Sequence, residues 1–168
     1  MVLVIELYRP LKQHNLSVPM LAASGIAADE QMAAAMTMGA EGAWCGSVWL
    51  TTVEAETTST VKRKMIAATA SDTVRAKSRT GKPSRQLRSA WTDASESTGA
   101  SEPLPMPLQS LVSEPALRKV DQLAEGRHGG AEALATYWVR QAVGLMNAEQ
   151  SAADIMLVFK TNFIEARS

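Results

Sequence analysis

Two short apolar runs, each closed by a turn of small residues, flank one helix-length segment in VPMLAASGIAADEQMAAAMTMGAEGAWCGSVWLTTVEAE, from Val18 to Glu56. The first run, Val18 to Ala23, has strand length. Pro19 fits only near its start, because proline cannot donate to a sheet ladder. The run closes in Ser24-Gly25-Ile26. Asp29 to Met38 then holds good helix formers, with Asp29 and Glu30 in the first turn and Gly39 as the stop. Gly42 to Gly46 is the second strand, and apolar residues on both of its faces predict a buried parallel strand. It closes in Gly46-Ser47. A helix between two strands is a crossover, so the two strands are expected to be parallel neighbours joined right-handedly.

Around this unit the chain is α/β first and helical afterwards. Residues 2–14 predict a helix with Leu3, Leu7 and Leu11 on one face, interrupted near Pro10. Thr51-Thr52-Val53-Glu54 has the Ser/Thr-x-x-Glu spacing of a capping box, which predicts a helix start. After Ser71 the character changes: Arg75, Lys77, Arg79, Lys82, Arg85 and Arg88 follow with no acidic residue among them. The default expectation for that run is a solvated or anion-facing loop and helix. Without interleaved aromatic residues it is a weak RNA-binding signal. Residues 95–107 (SESTGASEPLPMP) read as a polar, proline-rich connector. Ser113-Glu114-Pro115 predicts a helix start with Pro115 in the first turn, and Gly126 ends that helix. Ala131 to Val139 is expected to be helical. Ser151 is expected to cap a last amphipathic helix through Ile155, Val158, Phe159 and Ile164.

The 168 residues carry 17 basic and 17 acidic side chains and are 46% apolar, an ordinary globular balance. Net charge near zero gives no global pull toward nucleic acid or a membrane surface. A single cysteine excludes an internal disulfide and suits a reducing cytosol. The apolar start, MVLVIELYRP, is too short for a signal peptide and lacks a basic leader, and no run approaches membrane-spanning length. These features predict a cytoplasmic protein with neither nucleic acid nor a membrane as partner.

Two parallel strands do not make a sheet that stands alone. Such a pair needs both faces covered and has two open edges, and a closed (β/α)8 barrel takes about 250 residues. The composition and pattern therefore suggest a part of something larger. Glycines at the strand ends add a chemical expectation. In barrels of this kind the loops after the last two strands commonly bind phosphate, since glycine admits close backbone approach and free N–H groups attract anions.

The stretch VPMLAASGIAADEQMAAAMTMGAEGAWCGSVWLTTVEA resembles the seventh strand, helix and eighth strand of nitronate monooxygenases, formerly called 2-nitropropane dioxygenases. TGKPSRQLRSAW resembles that family's Gly-Lys/Arg-Pro-x-Arg-x-Leu-Arg segment, and VGLM at Val143–Met146 resembles its carboxyl end. The resemblance implies the carboxyl-terminal part of a TIM barrel, its last two parallel strands followed by a mostly helical segment. On this view residues 1–71 are the partial barrel. Residues 72–168 are the basic loop, connector and helices packing on it. It further implies FMN as cofactor, a small-molecule substrate, and oxidation of alkyl nitronates with oxygen to carbonyl compounds and nitrite. The family's first flavin-binding strands and its catalytic histidine belong to an amino-terminal barrel half absent from these residues. That half is expected to be required, in cis or in trans. Ser24-Gly25 stands where the family often has Gly-Gly, and Ser47-Val48-Trp49-Leu50 where it often has Thr-Arg-Phe-Leu. Arg140-Gln141-Ala142 replaces its common Gly-Gln-Gly. Two alternatives stay open: a related flavin barrel such as an enoyl-acyl-carrier reductase, and an inactive fragment.

The cofactor-binding candidates are Ser24, Gly25, Cys45, Gly46 and Ser47. Their bland alternative is two ordinary turns. The backbone N–H groups are the expected donors in preference to the serine hydroxyls. Cys45 itself reads as a small core residue and not as a nucleophile. His14, on a helix, and His128, in a glycine-rich loop, have no partners spaced for a metal or a triad, so neither a catalytic residue nor a metal site is assigned. Trp44 and Trp49 could face a flavin ring or the core, and the core is the expectation. Met32, Met36 and Met38 are expected to pack the helix on the sheet.

Overall fold

The computed structural model describes residues 2–165. The chain divides into two compact units, Met1–Ala55 with Glu149–Ser168, and Glu56–Ala148. Residues 56–71 thus belong with the second unit and residues 149–168 with the first.

In the first unit α1 (Val2–Gln13) precedes β1 (Leu21–Ala23), α2 (Asp29–Thr37), β2 (Gly42–Trp44) and a 3₁₀ turn, Ser47–Thr51. The strands are parallel, pairing Leu21 with Gly42, Ala22 with Ala43 and Ala23 with Trp44. The β–α–β expectation therefore holds, with shorter strands than the apolar runs suggest. Upstream of Leu21 the ladder gives way around Pro19, which has no N–H to offer, although Glu41 N–H still reaches the Met20 carbonyl at 2.8 Å.

Alternation along the strands sorts the two faces of the pair. Ala22 is buried in a cluster with Ile26, Ala35, Ala40, Val48, Ile155 and Phe159, and Ala43 packs against it. Leu21, Ala23 and Trp44 point the other way and are exposed. This corrects the expectation of a strand buried on both faces: within this unit only one face is covered. It also corrects the placement of Trp44, which is 70% exposed. Trp49 does pack against the core, with its indole N–H donating to the Cys45 carbonyl at 3.0 Å.

The first helix is amphipathic, yet none of its described residues is buried, and Leu3 and Leu7 face outward. Pro10 sits inside it without breaking it. A proline forfeits one ladder bond, and the helix runs on to Gln13. Tyr8 lies over Gly39, whose φ of +107° and lack of a side chain leave room for the ring; a Cβ there would sit 2.4 Å from the ring carbons. The closing helix of this unit, α7 (Ala152–Glu165 in chain order), is capped as expected: Asp154 N–H donates to Ser151 Oγ at 3.0 Å. Ile155 and Phe159 are buried and Val158 is exposed, while the side chain of Ile164 lies outside the described residues. The capping box at Thr51–Glu54 starts no helix. The Glu54 carboxylate instead accepts from Ala152 N–H at 3.0 Å, beside a parallel bridge between Thr52 and Gln150. It caps a helix distant in sequence, a pairing the local motif cannot reveal.

The second unit holds α3 (Ser59–Ala67), β3 (Thr73–Ala76), β4 (Ser84–Leu87), α4 (Ala90–Ser95), α5 (Leu108–Glu125) and α6 (Gly129–Leu134). The basic run is thus an antiparallel hairpin, Thr73 opposite Leu87 and Arg75 opposite Arg85, and not a loop and helix. Gly81 in its loop has φ +77°, and a Cβ there would lie 2.1 Å from the Leu104 carbonyl oxygen. The fifth helix begins at Leu108, two turns before Pro115, and ends at Gly126 as expected. Helix α6 stops at Leu134 because the next residues extend along the hairpin. Leu87 N–H donates to the Tyr137 carbonyl at 3.0 Å, and Trp138 bridges Gln86.

One cation of the basic run is the polar centre of this unit. Arg79 is buried; its Nε and Nη2 meet Glu114 Oε1 and Oε2 at 3.0 and 2.9 Å. Its guanidinium carbon lies 3.8 Å from the Trp138 ring centroid. A bidentate partner and an aromatic face together compensate the loss of water.

Candidate functional site

Because Ala23 pairs in parallel with Trp44, the residues that follow each strand leave the same, carboxyl end of the sheet. Ser24-Gly25 emerges from β1 and Cys45-Gly46-Ser47 from β2. Both Ser24 and Gly25 have φ +84°, a left-handed conformation that glycine takes freely and serine rarely. Gly46 has φ −122°, and nothing lies within 4 Å of the position a Cβ would take. Among the described residues the amide N–H groups of Gly25 and Gly46 donate to no protein acceptor. The turns therefore offer open backbone donors at neighbouring strand ends. An anion could use such donors.

The approach to α2 is held by one of its own side chains. Gln31 Oε1 accepts from the N–H groups of Ala27 and Ala28 at 2.8 and 3.1 Å, and Gln31 Nε2 donates to the Gly25 carbonyl at 3.0 Å. The carboxamide satisfies the amides of the two residues that lead into α2 and ties the Ser24-Gly25 turn to the helix.

Of the five candidates, Ser24 and Gly46 are exposed and Gly25, Cys45 and Ser47 are half-buried. Burial pushes the Cys45 thiol up, which suits a packing residue and not a thiolate nucleophile. Beside it opens an apolar groove of about 420 Å³, lined by Leu21, Met32, Trp44, Cys45, Trp49 and Phe159, with Lys160 as its cation. Sequence reasoning missed this groove because it forms only where α2 and α7 meet the outer side of β2. His14 lies in the turn after α1 and His128 precedes α6; both are exposed. No group of three or more His, Cys, Asp or Glu among the described residues could hold a metal ion. No described helix is long and apolar enough to cross a membrane.

Comparison with known proteins adds the family. The nitronate monooxygenase profile matches residues 7–160. A Mycobacterium tuberculosis protein provisionally named a monooxygenase is 54% identical over 148 residues, covering 88% of this chain and 39% of that protein. A Bacillus subtilis protein provisionally named a nitronate monooxygenase is 31% identical over 147 residues, covering 88% and 40%. The crystal structure of nitroalkane oxidase from Streptomyces ansochromogenes superimposes with a TM-score of 0.75 at 22% identity, covering 98% of this chain and 44% of that one. The chain spans about two-fifths of the length of the curated relatives it matches. Its α/β fold is shared with TIM-barrel-like structures, although no barrel closes among the described residues. With a profile match over most of its length and a relative sharing more than half of the aligned residues, the chain belongs to the nitronate monooxygenase family.

Proposed function

We propose that this chain supplies the phosphate-holding end of an FMN-dependent oxidoreductase that oxidises small alkyl nitronates. The observation that carries the reading is the pair of turns at one end of the parallel strands, with the Gly25 and Gly46 amides open. Those donors, the Ser24 hydroxyl and the unobstructed backbone at Gly46 fit a terminal phosphate. FMN, when bound, supplies the redox chemistry. The protein's part is to fix the phosphate and orient the ring.

The same reading assigns these residues to the carboxyl-terminal half of a barrel completed by an amino-terminal half, in cis or in trans. Three features support it. Among the described residues β1 and β2 pair only with each other, one face of the pair is bare, and α1 leaves Leu3 and Leu7 outward. Parallel strands in stable proteins have neighbours and are covered on both faces. Balanced charge and a single cysteine suit the cytosol.

Titration of FMN against wild type and Gly46→Val, each completed with the other barrel half, tests the phosphate grip. A valine side chain at the open Gly46 position meets no protein atom within 4 Å at its Cβ, so folding should persist. FMN affinity is expected to fall about ten- to a hundredfold, the worth of a charge-assisted hydrogen bond or two. Equal affinities would end the proposal. The chain without the other half is expected to show no nitronate turnover, since neither histidine lies at the strand ends.

A further inference from the structure

Trp44 is 70% exposed, although tryptophan offers more apolar surface for burial than any other side chain. Its place in the ladder says where that surface is directed. Trp44 is the last residue of β2, it stands on the uncovered face of the pair, and its partner across the ladder is the small Ala23. Below it on that face Leu21 covers Gly42, whose Cβ position lies 3.2 Å from Leu21 Cδ2. The sheet thus presents an indole at its carboxyl end with open space beside it. Trp44 immediately precedes Cys45-Gly46-Ser47, one of the two turns assigned to the phosphate. At the edge of β2 it also borders the apolar groove of about 420 Å³, whose other walls, such as Met32, Trp49 and Phe159, belong to the covered side. A ligand holding its anionic end at the turns would bring its body against this face.

We infer that Trp44 is the ring-side contact of the cofactor site, the apolar surface against which the flat tricycle of a flavin rests while the two turns hold its phosphate. The inference deepens the flavin reading and rests on it. Its physical basis is general: a planar heteroaromatic ring gains by stacking on an aromatic side chain whatever its hydrogen-bonding edge presents. Trp44 is a positioning residue for the ring. Gly25 and Gly46 act on the phosphate. The two contacts should therefore separate between FMN and riboflavin, which carries the same ring without the phosphate.

The test titrates both flavins against the full chain, alone and with the other barrel half supplied, for wild type, Trp44→Ala, Trp44→Phe and Gly46→Val. An exposed side chain is a small loss to the fold, and circular dichroism should show the Trp44 variants folded as wild type is. Trp44→Ala is expected to weaken FMN and riboflavin alike by about tenfold, the ordinary worth of one stacked ring. Trp44→Phe should retain most of the affinity. In wild type, riboflavin should quench tryptophan fluorescence, and Trp44→Phe should lose that quenched component. Gly46→Val should weaken FMN and spare riboflavin. Flavin binding that Trp44→Ala leaves unchanged would overturn the role of Trp44 and leave the flavin reading standing. Absence of binding by wild type in both preparations would overturn the flavin reading and this inference with it.

Discussion

Residues 56–148 bury a guanidinium, a glutamine and several hydroxyls alongside their apolar core, whereas the unit of residues 1–55 and 149–168 buries mostly alanine and aliphatic side chains and turns Leu3, Leu7, Leu21, Trp44 and Leu157 outward. Most of the buried polar groups of the second unit find a partner within it, while Thr58 Oγ1, Trp91 Nε1 and Asp121 Oδ1 are buried without one. Arg79 meets Glu114 and the Thr136 carbonyl, Gln86 meets Ser78 and the Ala76 carbonyl, and Ser113 Oγ donates to the Arg79 carbonyl. An interior of that kind specifies itself, since each group left without its partner would carry a desolvation penalty. The first unit has the opposite signature. Among the described residues its strand pair has no further strand beside it and one bare face, and Trp44, 70% exposed, stands next to the candidate cofactor turns. The second unit holds its buried charge by its own contacts, and the first leaves one face of its strand pair bare.

The largest effect that can break this contrast is loss of the buried ion pair. Glu114→Ala leaves the Arg79 guanidinium, only 4% exposed, without its carboxylate. It should lower stability in urea by about 3 kcal/mol or more, because the remaining charge is buried and unpaired. Replacing both members with apolar residues should recover much of that loss. A single-variant loss below about 1 kcal/mol would show that water reaches Arg79 and that the second unit is not closed.

Matched leucine truncations sharpen the comparison. Leu117 is 1% exposed in α5, and Leu117→Ala should cost about 2–5 kcal/mol. Leu3→Ala in α1 should change stability by no more than about 0.5 kcal/mol in this chain. When the other barrel half is supplied, the cost of Leu3→Ala should rise, because its apolar side then gains a partner. An unchanged cost would remove α1 from the surfaces that await covering.

A smaller effect is expected at Gly81. Its φ of +77° and the Leu104 carbonyl facing it leave no room for a side chain. Gly81→Ala should cost about 1–3 kcal/mol through backbone strain and displacement of the connector. The same substitution at Gly46, where nothing is close, should be nearly neutral for folding.

The smallest effect is a pH dependence. Thr60 N–H and the Ser59 hydroxyl each donate to Glu125 Oε1 at 3.0 Å, and the Thr60 bond is the main cause that holds this carboxyl below its ordinary value. Its folded value lies below its unfolded one, so its stabilisation is complete above the ordinary glutamate range, about pH 4.3, and fades as pH falls through the folded value. Asp121 works in the opposite sense: burial pushes its carboxyl up, and protonation on acidification relieves that penalty. Urea unfolding between pH 3 and 7 should show a shallower acid loss in Glu125→Gln than in wild type. In Asp121→Asn the acid loss should be steeper.

The β–α–β order, the parallel pairing, the Gly126 stop and the Ser151 cap were legible in the residues, because each rests on contacts between near neighbours: periodicity, a cap three residues away, a glycine at a helix end. The hairpin of residues 73–87 was not. Its charges hide the alternation of a strand, and its third side comes from Tyr137 and Trp138, far along the chain. Arg79 looks like its solvated neighbours until Glu114 and Trp138 are folded against it. Glu54 carries a sound local capping signal, yet it caps a helix that begins at Ala152. The candidate turns divide in the same way. Ser24-Gly25 and Gly46-Ser47 could be picked out as strand ends from local sequence. That the Gly25 and Gly46 amides lie open, that Gln31 ties the Ser24-Gly25 turn to α2, and that Trp44 faces outward were decided by the tertiary structure. Local chain chemistry chooses the elements. Which face of an element is covered depends on what else is packed against it, and that is a property of the assembled layers and not of the segment.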